Sequence, residues 1–308
     1  MPQTVTLLAT ETLLQELSSA YEPFFKKTPP YAVFQAKIPG VVITAYQSKK
    51  VVFQGEKAEI EAAMWEKRGA TNSKQTKEKS ASSALPKDFA SWNVIGSDEV
   101  GNGSYLGPVV VCATYVDETH MPILKELGVK DSKMLTDTDI KRIAKEIIHV
   151  MPYRKLILTP KKYNEIQPEY NVNRMKVALH NQAIYLLMQD ISPITPKGIL
   201  IDQFTPESNY RKYLSKEKNQ VTKPLYFTTK GEQYHLSVAA ASIICRAEFL
   251  TSLETASKEL GFNVPSGAGQ KSDIAAAKII KKGGMPLLEQ YAKVHFANTQ
   301  KAYNLINR

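Results

Sequence analysis

Between Val94 and Val116 the chain runs apolar, passes through Ser97-Asp98-Glu99-Val100-Gly101-Asn102-Gly103-Ser104-Tyr105-Leu106-Gly107-Pro108, and turns apolar again. Few folds accept that order. An apolar run ending in two carboxylates, a glycine-rich stretch, and a second apolar run directly after a proline read as strand, special turn, strand. The acids stand where the first strand exits, so at least one can face a ligand, while the glycines let backbone amides approach it. Adjacent acids are commonly just solvated; the setting makes Asp98 and Glu99 candidate site residues.

Downstream, Val129-Lys130-Asp131-Ser132-Lys133 precedes Thr136-Asp137-Thr138-Asp139, which starts a helix running to about Ile148. Lys130, Ser132 and Lys133 form either a phosphate-holding loop or an ordinary solvated one. A strand over Tyr153 to Leu158 is followed by a helix from Val172 to Asp190, with Met175, Leu179, Ala183, Leu186 and Leu187 periodic. Gly198 to Gln203 is a short buried-strand pattern that ends in Asp202 and so repeats the placement of Asp98. Strand ends are where α/β sheets form ligand sites. A further strand, Leu225 to Thr228, leads to Glu232 at the start of an apolar helix, Leu236 to Cys245, whose small residues permit close approach to a sheet. Helices over Arg246 to Leu260, Lys271 to Lys281 and Met285 to Tyr291 complete the chain. His180 and His295 read as structural, and His235 as either structural or functional.

Before this region lies a smaller α+β unit. Thr10 caps a helix bearing Leu13, Leu14 and Leu17 on one face, and Tyr31 to Ile38, Val41 to Tyr46 and Lys50 to Gln54 read as a small antiparallel sheet. Lys57 to Lys67 returns to helical spacing. Tyr46, Lys49 and Lys50 lie on or beside a hairpin and are candidates for contact with a phosphate backbone. From Gly69 to Asp88 the only apolar residues are three alanines and one leucine, a composition that favours a linker. The expected domains are therefore 1–68, a linker 69–88, and 89–308.

The net charge of +10 favours a polyanionic partner, nucleic acid before an anionic membrane surface, and +7 of it lies in residues 89–308. No basic start followed by an apolar core opens the chain, and no uninterrupted apolar run reaches the ~20 residues of a membrane helix. Cys112 and Cys245 lie in apolar surroundings without metal-ligand spacing, as expected of buried thiols in a cytoplasmic monomer. Four acids at three separate element ends, Asp98, Glu99, Asp202 and Glu232, make an oxygen-only donor set suited to Mg2+ or Mn2+. Two such ions activate a water and stabilise the leaving oxygen of a phosphodiester without a nucleophilic side chain.

Taken together, Ser97 to Gly103, Lys130 to Lys133, Leu200 to Gln203, Glu232 with Ala239-Ala240-Ala241-Ser242-Ile243-Ile244, and His295-Phe296-Ala297-Asn298-Thr299 resemble the ribonuclease HIII family of type 2 ribonucleases H. The resemblance covers essentially the whole chain. It implies a ribonuclease H-like α/β catalytic domain with a mixed sheet flanked by helices, preceded by a small α+β TATA-box-binding-protein-like substrate-binding domain. It further implies an endonuclease that cuts the RNA strand of RNA/DNA hybrids with Mg2+, Mn2+ being a possible substitute. Asp98, Glu99, Asp202 and Glu232 match its metal-binding acids. Gly101, Asn102 and Gly103 match its contact to ribose 2′-hydroxyls, and Lys130, Ser132 and Lys133 its phosphate contacts. The sibling ribonuclease HII typically has Gly-Arg-Gly in the glycine loop and Asp as fourth acid, so Asn102 and Glu232 favour HIII. The chain departs from many members of the family at Asn102, where they have Thr, and at Ser104-Tyr105-Leu106, where they have Asp-Tyr-Phe. Two rival readings remain open: HII-like repair of single embedded ribonucleotides, and a binding module whose carboxylates are structural.

Overall fold

The computed structural model describes residues 3–29, 32–72 and 85–306. The chain divides into two compact units, Met1–Ala81 and Ser82–Arg308.

The first unit is a five-stranded antiparallel sheet in the order β2-β3-β4-β1-β5, formed by β1 (Gln3–Leu8), β2 (Ala32–Ile38), β3 (Val41–Tyr46), β4 (Lys50–Gly55) and β5 (Thr71–Asn72). Helices α1 (Glu11–Tyr21, capped by Thr10) and α2 (Ala58–Glu66) share a core with one sheet face: Leu13, Leu17 and Trp65 pack with Phe34, Ile43 and Phe53. Strand alternation sends every second residue to the other face, where Gln35, Thr44, Val52 and Thr6 fall in one row, and Lys37, Val42, Gln54 and Thr4 in the next. Tyr46 and Lys50 share the parity of this second face.

Two corrections to the sequence reading arise here. The sheet has five strands rather than three, because Gln3–Leu8 inserts beside β4 and Thr71–Asn72 pairs with β1. The segment expected as a linker therefore begins as structure, with Ala70 buried, and Leu85 at its other end packs toward Phe89. Residues 73–84 of that expected linker lie outside the described residues.

The second unit is built on a mixed sheet, β10-β9-β6-β7-β8, from β6 (Val94–Val100), β7 (Val109–Val116), β8 (Tyr153–Leu158), β9 (Gly198–Asp202) and β10 (Leu225–Thr228). β6, β9 and β10 are parallel, whereas β7 pairs antiparallel with β6, and β8 antiparallel with β7. After α3 (His120–Glu126), α4 (Asp137–Ile147) and α5 (Pro160–Ile166), α6 (Val172–Asp190) covers one face. After α7 (Glu207–Leu214), α8 (Leu236–Leu260) covers the other, and α9 (Gln270–Tyr291) and α10 (Asn298–Ile306) close the chain. All eight residues of β7 are buried: Val110, Cys112 and Val116 join the core with α8, while Val111, Ala113 and Tyr115 join the core with α6. Such two-sided burial explains its continuous apolar sequence.

Helix α8 is one element where two were expected. Arg246 does not break it, because its guanidinium reaches out to the Ser132 carbonyl (2.9 Å) and Asp137 (2.8 Å). By length and mean composition this helix could cross a membrane, although Arg246 interrupts its apolar run, and 67% of its apolar window is buried inside the protein. It lies so close to β6 that a Cβ on Gly96 would stand 2.3 Å from Val238 N. The interruption expected before Met285 is present as a kink at Gly283 and Gly284 within α9.

Candidate active site

Strands β6 and β9 run parallel, with Ser97 level with Ile201, so Asp98 and Asp202 emerge side by side at their carboxyl ends. Alternation then separates the adjacent acids. Asp98 faces α8, where Ser242 hydrogen-bonds its carboxyl and the Cys245 thiol donates to its backbone carbonyl (3.3 Å), whereas Glu99 faces α6. Asp98 is buried, and the Glu99 backbone N–H donates to its Oδ1 (2.7 Å). Burial, then the charges of Glu99 and Asp202, hold its carboxyl well above the usual aspartate value, against the opposing hydrogen bond from Ser242. Asp202 is raised likewise, first by burial and also by Glu232 and Glu99; the Gly231 N–H, donating to Oδ1 at 2.8 Å, works the other way.

Glu232 stands on a single 3-10 turn, Gly231–Gln233, ahead of α8 rather than in the helix, whose N-cap is His235. Lys133 Nζ donates to Glu232 Oε1 (3.0 Å), and that bond raises the lysine's pKa. Glu99 behaves differently from the two aspartates. Burial would raise it, but the hydrogen bond and charge of His180, followed by those of Lys176, bring it below the ordinary glutamate value.

The donor chemistry fits a hard divalent cation. Asp98 and Asp202 repel each other in a poorly solvated place, and an added positive charge removes that cost. Among the described residues, however, no three His, Cys, Asp or Glu side chains are gathered tightly enough to share an ion. Two of the four acids hold side-chain partners of their own, Glu232 with Lys133 and Glu99 with Lys176 and His180.

The glycine loop follows directly. Gly101 has φ +98°, and a Cβ there would meet Pro108 O at 2.1 Å, so glycine is required. Asn102 is half-buried and Gly103 exposed, with open space where a Gly103 Cβ would point. The far side of the loop is anchored to the C-terminal region: Tyr105 N–H donates to Gly267 O (3.0 Å), Gly107 N–H to Tyr291 O (2.9 Å), and Lys293 Nζ to Gly107 O (2.5 Å).

Lys293 is wholly buried, and desolvation lowers its pKa from 10.5 to about 7. Between those values the unfolded chain binds the extra proton, so this group makes stability rise with pH from about 7 to 10.5 and contributes no slope below. Lys293→Met removes that slope. Urea titrations across this range should show the wild type gaining stability relative to the variant as pH rises, by at most ~5 kcal/mol in total.

Of the three loop residues expected at phosphates, Lys130 and Lys133 are exposed but Ser132 is buried, its hydroxyl 2.8 Å from Ser242 Oγ. Ser132 thus ties the loop to α8 instead of facing solvent. In the first unit, Lys49 occupies a positive-φ turn position and pairs with Glu11 (3.0 Å), while Lys50 is exposed.

The sequence reading missed Lys176 and His180, having taken His180 as structural. Both are buried against Glu99 and belong to the site. A signal existed: positions 176, 180, 183 and 187 share one helical stripe, and two cationic residues on a buried stripe need a partner. His235, by contrast, is structural. Its Nδ1 accepts from Ser237 N–H (3.1 Å), its Nε2 lies 3.1 Å from Trp92 O, and burial lowers its pKa to about 4.

A family model described as Ribonuclease HII matches residues 95–299, and one described as a domain of unknown function matches residues 3–79. The chain is 59% identical over 307 residues to Ribonuclease HIII of Enterococcus faecalis, covering 99% of this chain and 100% of that one. It is 47% identical over 311 residues to Ribonuclease HIII of Listeria monocytogenes, each chain covered in full. The crystal structure of Bst-RNase HIII in complex with Mn2+ superposes with a TM-score of 0.71 at 42% identity, covering 99% of this chain and 100% of that one. The strand-end acids, the glycine loop and the two-unit layout thus sit in a chain that belongs to the ribonuclease HIII family.

Proposed function

We propose that this protein is an endonuclease that hydrolyses the RNA strand of RNA/DNA hybrids in a reducing compartment such as the cytoplasm. The observation that carries the reading is the pair of parallel strand ends that bring Asp98 beside Asp202, each carboxyl raised by burial and by its acidic neighbours, next to a glycine loop. Asp98, Glu99, Asp202 and Glu232 would hold the divalent ions. Mg2+ or Mn2+, as a pair when bound, supplies the activated water and the stabilisation of the leaving oxygen. Glu99 stays ionised because His180 and Lys176 favour its charged form. Gly101 to Gly103 present backbone to the ribose 2′-hydroxyls, and Lys130 and Lys133 lie exposed for the phosphates. The polar second face of the N-terminal sheet, edged by Lys37 and Lys50, is suited to a nucleic-acid groove.

The test is cleavage of a labelled RNA/DNA hybrid with Mg2+ or Mn2+, beside a duplex carrying one ribonucleotide. Cleavage of the hybrid is expected; binding without cutting in either metal leaves a binding module, and a strong preference for the single ribonucleotide makes the enzyme HII-like. Gly103→Ala should leave the melting temperature unchanged, because a Cβ meets nothing there, while raising KM for the hybrid. Deleting residues 1–81 should weaken hybrid binding and leave the metal requirement intact; unchanged affinity would reject the N-terminal role.

A further inference from the structure

Helix α6 carries two cationic-type side chains into the protein interior, one turn apart. Lys176 and His180 are 4% and 0% exposed. Lys176 Nζ donates to Glu99 Oε1 at 2.8 Å, and His180 Nε2 lies 2.9 Å from Glu99 Oε2. On the far side of the imidazole, Nδ1 is 2.6 Å from Ser97 Oγ, two residues before Glu99 on the same face of β6. Phe204, just past the end of β9, closes the set, with Lys176 Nζ 3.9 Å from its ring centroid and the His180 ring at 5.1 Å.

Neutralising one buried carboxylate needs only one cation. Here each oxygen has its own donor, and each donor is itself held, by Phe204 or by Ser97. Two separate bonds fix the plane of a carboxylate as well as its charge. Each oxygen keeps a second acceptor site free of these two partners.

We propose that Lys176 and His180, the latter steadied by Ser97, are positioning residues that set the direction from which Glu99 reaches a divalent cation. This rests on Glu99 being a metal ligand, and the experiment separates the two ideas.

Lys176→Met keeps an unbranched apolar stem against Phe204 and removes the donor and its charge. His180→Gln keeps a donor for Glu99, whereas His180→Ala does not. We expect Lys176→Met and His180→Ala to lower kcat on the hybrid about tenfold with KM little changed, and His180→Gln to recover most of the loss. Mn2+ affinity, read without nucleic acid from the electron paramagnetic resonance signal of the free ion, should shift about threefold or more in Lys176→Met. That shift should vanish when Lys176→Met is made in a Glu99→Gln background, because the lysine acts only through Glu99. Unchanged kcat and Mn2+ affinity in the folded Lys176 and His180 variants, or a Lys176→Met shift that persists in the Glu99→Gln background, overturns the proposal. If Glu99→Gln alone leaves Mn2+ binding unaltered, it is the ligand role of Glu99 that fails. Melting curves of each variant identify any loss that comes from unfolding, and either Lys176→Met or His180→Gln suffices if His180→Ala does not fold.

Discussion

Asp98→Asn is expected to lose about a thousandfold in hybrid cleavage, the several kcal/mol that a displaced metal ion contributes to a transition state. In a chelator, the same variant should melt higher than the wild type. The sign follows from the raised carboxyl. Asp98 ionises less readily folded than unfolded, so its stabilising contribution is complete only below the ordinary aspartate value and is lost as pH rises through the folded one. At neutral pH the wild type therefore bears a cost of burial and of repulsion that asparagine lacks, while the asparagine carbonyl still accepts from Glu99 N–H. Each kcal/mol relieved raises the melting temperature by about 2–4 °C. Added Mn2+ should stabilise the wild type and scarcely affect the variant. Calorimetry with and without chelator measures both; a variant that melts lower in chelator contradicts the electrostatic account of the site.

Gly96→Ala should have the largest effect on stability. The new methyl would stand 2.3 Å from Val238 N, 2.4 Å from Ser237 Oγ and 2.5 Å from Ser237 C, and two of these are backbone atoms of the first turn of α8. A flexible side chain can swing aside, but a helix must move as a body. Overpacking of this kind costs about 3 kcal/mol or more, which corresponds to a drop of roughly 6–12 °C. Activity should fall further than stability alone requires, because α8 also carries Ser242 and Cys245 beneath Asp98. A melting temperature within a degree or two of wild type would show that α8 can lift off β6 at little cost.

Parts of this architecture were plain from the sequence because one physical signal dominated them. The β6-turn-β7 unit was legible from two apolar runs flanking a glycine loop, and α6 from its apolar stripe. β1 was not, since Gln-Thr-Val-Thr-Leu-Leu alternates weakly and its placement beside β4 depends on pairing with residues some fifty positions away. β5 has no apolar residue and is held by its backbone bonds to β1. α8 was divided at Arg246 because a charged residue ends an apolar run in one dimension, while in three its long stem carries the guanidinium outward to Ser132 and Asp137. In the candidate site the four acids were readable one by one from their positions at element ends. Their partners were not: Lys133 meets Glu232 across 99 positions and Lys176 meets Glu99 across 77, distances over which local pattern carries no information.

The opposite orientations of Asp98 and Glu99 have a practical consequence. Because one acid leans on the core beneath α8 and its neighbour on the core beneath α6, each half of the site answers to a different hydrophobic interior. Substitutions at Val177 or Ile184 would therefore act on Glu99 first, and substitutions at Ala240 or Ile243 on Asp98 first, each reaching the other acid through the charge the two share. Each core is thus a separate route by which substitutions away from the four acids can adjust how the site meets a cation.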